Sequence, residues 1–212
     1  MRSWIFIALF GLISSQNIEA QSITNFDVFL NNDRIGYYQS TLLEENNSLY
    51  INTESVFSFR VLFIPLFRFR HSSEEIWLDG CLESLQAITT YGLREFIVNG
   101  QREDNSFVLS VTRRGEVSTV ELESCMRTPS FWDPTFLYTN QVINPFNGRL
   151  EDSQFTPEIS RENGLIESVF YFDDTPFSLT YNNDNEWLGL RAEARNRVIE
   201  FRLPELMSEE SR

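Results

Sequence analysis

Along residues 57–71 the apolar side chains fall on odd positions: Phe57, Phe59, Val61, Phe63, Phe67 and Phe69, with His71 next in line. Successive side chains of a strand point to opposite faces, so this set shares one face. Arg60, Arg68 and Arg70 take the other. Leu62, Ile64 and Leu66 also lie on that second face and need cover from a loop, from residues 129–137 or from a partner. Pro65 has no N–H for a ladder and marks an edge or a bulge.

Elsewhere short runs of Val, Ile, Phe, Tyr and Thr alternate with clusters of Asn, Asp and Gly. Turn signals stand at Asn31-Asn32-Asp33, Glu45-Asn46-Asn47, Asn99-Gly100, Arg114-Gly115, Asn147-Gly148, Asn163-Gly164, Asp173-Asp174 and Asn182-Asn183-Asp184. These residue types tolerate the positive φ of hairpin turns. Strands are expected at 24–30, 34–43, 48–60, 61–70, 75–77, 82–90, 93–98, 106–113 and 116–123, and then at 154–159, 165–173, 177–181, 187–191 and 198–203. Ser72-Ser73 ahead of Glu74-Glu75 reads as a turn. The best helix candidate is 129–137, behind Thr128 as N-cap, with one or two turns at most. The fold class is therefore all-β: a broad antiparallel meander curled into a half-open barrel or sandwich. A sheet this wide must curl, close or be covered to bury its apolar face.

The N-terminus changes the picture of where this sheet works. Arg2, an apolar run over 4–13 and Ile18-Glu19-Ala20 have the layout of a secretory signal peptide. The run is short for a membrane span, and no later stretch is long enough for a transmembrane helix. The expected organisation is a signal peptide at 1–20, a single β-domain at 21–204 and a polar tail at 205–212. The expected compartment is outside the cytoplasm, either periplasmic or extracellular. A disulfide is the default pairing there for the two cysteines, Cys81 and Cys125, with two buried free thiols as the alternative.

Charge and composition remove several chemistries. The formal net charge is −14, and every basic side chain apart from the single histidine is Arg. An acidic chain repels nucleic acid and anionic lipid surfaces, so no nucleic-acid partner is expected. The absence of Lys removes Schiff-base chemistry and the P-loop lysine. Metal-ligand spacing, a Gly-rich phosphate loop and a nucleophile elbow are also missing. No catalytic residue, metal or cofactor is assigned on these grounds. Asp173-Asp174 before Pro176 fits a solvated turn better than a cation site. Arg68 and Arg70 serve either to keep the outer face wet or to recognise an anion.

Glu75-Ile76-Trp77-Leu78-Asp79-Gly80-Cys81-Leu82, with Thr89 and Gly92 downstream, resembles a bacterial exported family, the domain of unknown function 6134. Further fragments match it: Phe26-x-Val28 with Ile35-Gly36, Phe131-Trp132, the turn over 144–148, and the ending over 187–191 followed by Ile199-Glu200-Phe201-x-Leu203. The resemblance implies an exported β-protein of about this length and supplies no activity. Lipoprotein-carrier-like half-barrels are a looser analogy, and fold alone does not fix function.

Two features remain as candidate chemistry. His71 is the one histidine, with Glu74, Glu75 and Asp79 close in sequence. It is either an acid/base held by a carboxylate or a histidine at a strand end satisfied locally. Nineteen Phe and four Trp either fill the core or line a cavity for an apolar ligand. Phe67, Phe69, His71 and Trp77 are the candidate ligand-binding residues. Three functions stay open: an exported domain binding a hydrophobic or amphiphilic small molecule, an envelope structural or protein-interaction module with a filled core, and a carboxylate/His lyase or isomerase. Export makes one direct prediction. N-terminal sequencing of protein from the native host should begin at Gln21, and intact Met1 in the cytoplasm would refute it.

Overall fold

The computed structural model describes residues 20–61, 64–139, 141–152, 158–162, 164–172, 175–194 and 197–204. The first meander comprises β1 (Ala20–Leu30), β2 (Asp33–Glu45), β3 (Ser48–Val61), β4 (Ile64–Leu78), β5 (Cys81–Tyr91), β6 (Arg94–Glu103), β7 (Ser106–Arg113) and β8 (Glu116–Glu123). Each strand pairs antiparallel with the next. Paired positive φ values at Asn31-Asn32, Asn46-Asn47, Asp79-Gly80 and Arg114-Gly115 are those of the tight hairpin turn whose twist matches the strands.

After β8 the chain leaves this sheet. It forms a 3-10 helix (Pro134–Tyr138) and a small hairpin of β9 (Gln141–Ile143) with β10 (Leu150–Asp152). It then returns as a second meander: β11 (Glu158–Glu162), β12 (Leu165–Phe172), β13 (Thr175–Asn182), β14 (Trp187–Ala194) and β15 (Arg197–Arg202). β15 pairs with β1, which joins both meanders into one 13-stranded antiparallel sheet. The order runs β11 to β15 and then β1 to β8, so the sheet is curled but not closed. Among the described residues no helix is long and apolar enough to cross a membrane.

Residues 124–139 and 141–152 cover the concave face. Leu82 N–H donates to Met126 O at 2.9 Å, and Ile143 N–H donates to Arg127 O at 2.8 Å. The Cys81–Cys125 disulfide, with Cα atoms 4.9 Å apart, ties the start of the segment to β5. Met126 and Ile143 complete a core with Ile51, Trp77, Leu85 and Phe107. Phe136 completes a second core with Phe26, Phe170, Leu179 and Trp187. Full burial of a large apolar side chain is worth about 2 kcal/mol, so this segment stabilises both halves of the sheet.

Several expectations need correction. The expected strands 61–70 and 75–77, with a turn at Ser72-Ser73, fall on one continuous strand from Ile64, β4, while Val61 ends β3. Ser73 is buried in mid-strand, because the inward parity set by Phe69 and His71 continues through polar residues. Asn99-Gly100 is not a turn but lies within β6. A Cβ on Gly100 would stand 2.4 Å from the Phe107 ring, so the glycine makes room for an aromatic side chain, and the turn falls at Asp104. The helix is capped by Asp133, whose carboxylate accepts Thr135 N–H at 2.9 Å, and not by Thr128. Phe57 and Phe69 share a face as expected but are half-buried, because they sit at one end of the sheet beyond the packed cores.

Arg68 and Arg70 are exposed on the convex face, as expected. The ladder shifts register between Phe59 and Arg60, opposite Pro65. The side chains of Phe59, Arg60, Val61, Ile64, Leu66 and Phe67 lie outside the described part, as do Leu62, Phe63, Asp173, Asp174 and the tail from 205 on. The bridge spans a sequence separation of 44 residues. On the chain-entropy model that loop is worth roughly 4 kcal/mol. Urea unfolding of the Cys81→Ser/Cys125→Ser double variant should show a loss of that order, with the bridged protein alone sensitive to reductant.

Candidate functional site

The inward face of β2 to β5 carries a polar patch flanked by the two apolar cores. Register aligns Tyr38 with Ser55, Ser55 with His71, and His71 with Thr89. The adjoining rung aligns Ser40 with Thr53 and Thr53 with Ser73. Ser40, Ser55, His71, Ser73 and Thr89 are all buried, none more than 5 % exposed. Alternation explains how they come together: each stands an even number of residues from an inward apolar neighbour on its own strand.

His71 Nδ1 lies 2.9 Å from Thr89 Oγ1. Its partner is thus a hydroxyl and not one of the neighbouring carboxylates. Glu74 points to the convex face, Asp79 stands in the β4–β5 turn, and Glu75 is engaged elsewhere. Burial lowers the imidazole pKa to about 4, so it is neutral near pH 7 and a weak base there. His71 thus stands in mid-strand and not at a strand end, with the Thr89 hydroxyl beside it. Tyr38, pushed up to about 12 by burial, is likewise neutral.

The Ser40 and Thr53 hydroxyls lie near enough to the Tyr38 phenol to offset part of its rise. Even so, Ser40 Oγ closes no hydrogen bond of ordinary geometry. A buried hydroxyl left unpaired costs about 1–3 kcal/mol. Such groups in native structures call for an explanation in water, an ion or a ligand. Tyr181 Oη and Arg127 Nε are also unpaired but belong to other parts of the interior.

An aromatic rim stands over one end of this patch. The Phe146 ring meets the His71 imidazole edge-on at 4.6 Å and Phe69 at 5.6 Å. Phe57 stacks on Phe69 at 5.1 Å and reaches Phe201 at 6.0 Å. Phe146 comes from the β9–β10 loop and is 40 % exposed. Asn144 shapes that loop by accepting Phe146 N–H on its side chain and Gly148 N–H on its carbonyl. Gly148 has φ +70°, and a Cβ there would fall 2.2 Å from Val111, so glycine lets the loop press onto β7.

Trp77 belongs to a different place. It lies three inward positions past His71, roughly 20 Å along the strand. Its indole N–H donates to Glu75 Oε2 at 2.8 Å, which also accepts Thr128 Oγ1 at 2.9 Å. Burial pushes the Glu75 carboxyl up, while these two donors pull it down. Trp132 packs edge-on against Trp77, and the Arg127 guanidinium, paired with Asp133, lies over its ring. Of the sequence candidates, then, Phe69 and His71 come together, Trp77 is core, and the Phe67 side chain is outside the described part. Ser40, Ser55, Ser73, Thr89 and Phe146 were missed. The parity of β4 was the available signal for Ser73; Phe146 had none.

A recess of about 340 Å³ against β3 to β5 is lined by Tyr50, Asn52, Glu74, Glu75, Ser84 and Gln86 among others; the perturbed carboxyl there, Glu75, is hydrogen-bonded to Trp77 and Thr128. Among the described residues no three His, Cys, Asp or Glu side chains are placed to share a metal.

Fold and site together define a β-barrel-like domain with an unclosed antiparallel sheet. The model of the domain of unknown function DUF6134 matches residues 26–204, and the chain belongs to that family. Comparison with curated proteins finds no match. Among solved structures, a β-barrel-like protein of the domain of unknown function DUF1849 from Brucella abortus is similar, with a TM-score of 0.56 and 10 % identity over 86 % of this chain and 94 % of that one. At that identity the likeness is one of fold.

The buried imidazole sets a pH dependence. Its folded pKa of about 4 lies below the ordinary 6.5, so its contribution is present above about 6.5 and is lost as pH falls towards 4. Glu75, shifted upward, has the opposite sense and is common to both proteins compared. The stability advantage of wild type over His71→Asn should therefore shrink by up to about 3 kcal/mol between pH 6.5 and 4. Denaturant titrations across that range test it; a constant difference would mean the imidazole is not buried neutral.

Proposed function

We propose that this chain is an exported, non-enzymatic β-domain that holds a hydrophobic or amphiphilic small molecule at the aromatic end of its half-barrel. One observation carries the reading: the half-buried rings of Phe57 and Phe69 and the exposed ring of Phe146 adjoin a buried polar patch in which the Ser40 hydroxyl closes no hydrogen bond of ordinary geometry. Aromatic walls with a few converging polar groups are the usual make-up of a small-molecule site. Export, with residues 1–20 removed, agrees with the disulfide, which persists in oxidising compartments.

A second reading is an envelope structural or protein-interaction module. The dense filling of both cores by residues 124–139 and 141–152, with Phe136 and Ile143 fully buried, favours it. The lyase or isomerase reading is less favoured, because among the described residues His71 pairs with the Thr89 hydroxyl.

The test is mass spectrometry of an organic extract from the purified mature protein and two variants. Phe69→Ala should empty a folded protein of its ligand. His71→Ala should weaken retention modestly, since one neutral hydrogen bond is worth about 1 kcal/mol. Absence of any ligand in all three proteins would leave the interaction module as the better account.

A further inference from the structure

We infer that the polar patch beside the aromatic rim takes an uncharged, hydrogen-bonding head group, an alcohol or ester at the end of an apolar chain, and that Ser40 is one of its contacts. The inference rests on the proposed ligand-binding function and names its ligand class.

The patch offers hydroxyls from Tyr38, Ser40, Ser55, Ser73 and Thr89 with the His71 imidazole among them. Hydroxyls both donate and accept, so they suit a head group that does the same. Among the described side chains no cation is placed against the patch. Arg68 and Arg70 share the strand of His71 but are exposed on the other face, and Arg127 is committed to Asp133 and Thr135 over the Trp77 ring. An ionised carboxylate or phosphate brought here would lose its hydration with no cation to replace it. A cationic head group would look to Glu75, but Trp77 and Thr128 both donate to its Oε2.

Ser40 gives the patch a defined point of contact. It is 2 % exposed, and its Oγ, although near the Tyr38 phenol, closes no hydrogen bond of ordinary geometry. Tyr38, two residues along on the same face, adjoins Phe201 at 5.5 Å between ring centroids, and Phe201 continues to Phe57 of the rim. An apolar tail against Phe57, Phe69 and Phe146 therefore leaves the head directed along the hydroxyl rows.

The experiment compares four probes with the same eighteen-carbon tail on delipidated mature protein at pH 7.5: 1-monooleoylglycerol, oleyl alcohol, oleate and oleylamine. The neutral pair should bind about tenfold or more tighter than either charged probe. Ser40→Ala should fold with a stability close to wild type, since it removes a hydroxyl that closes no hydrogen bond of ordinary geometry, and should weaken the neutral probes roughly fivefold while leaving the charged ones unchanged. Ser40→Thr should restore most of that loss. Equal or tighter binding of oleate or oleylamine overturns the neutral-head inference and leaves the ligand-binding function standing. Neutral probes insensitive to Ser40→Ala overturn the assignment of Ser40. Failure of all four to bind overturns the ligand-binding function itself.

Discussion

A 13-stranded sheet that curls without closing leaves a broad concave face to be covered, and the cover is pinned at one seam. Residues 125–128 run beside β4 and β5. The disulfide fixes the first of them, Leu82 N–H holds the next, and Thr128 hydrogen-bonds the buried Glu75. Glu75 is the costly member, because a carboxyl in that position must be satisfied from within. Two donors on one of its oxygens satisfy it only if β4 and the covering segment are both in place, so the buried carboxyl ties sheet and cover together.

From that seam the cover reaches both cores. Met126 and Ile143 seal one, and Phe136 seals the other. Between them lies the polar patch, whose members on β2 to β5 are brought together by ladder register alone. The β9–β10 loop then sets Phe146 over His71. The candidate site is thus composite: strand parity supplies its floor, and the covering segment supplies part of its rim.

Burial dictates the chemistry this site can have. An imidazole desolvated far below its ordinary pKa and bonded to a threonine is a hydrogen-bonding group before it is a proton carrier. The same burial keeps the Tyr38 phenol protonated. The surface differs, since most of the acid responsible for the net charge of −14 lies in the solvent-facing parity of the strands and their turns. Interior neutrality and exterior acidity are separated by the alternation of the strand itself.

Much of this was legible in the chain. Alternation and the Asn-Asn and Arg-Gly turns made the all-β meander legible, because hairpin geometry is local and needs only residues a few positions apart. The shared face of Phe57, Phe69 and His71 was legible for the same reason. Polarity misled the assignment at Ser72-Ser73, where local propensity gave way to a long strand whose inward serine is covered from elsewhere. Gly100 misled it because the ring that needs the space, Phe107, comes from the next strand. What the tertiary structure alone decided is long-range. The pairing of β15 with β1, the path of 124–139 and 141–152 across the concave face, the bonds of Glu75 with Thr128, and Phe146 over His71 join residues far apart in sequence. No pattern of neighbouring residues encodes such partners, because they are selected by which apolar surface remains to be buried once the strands have paired.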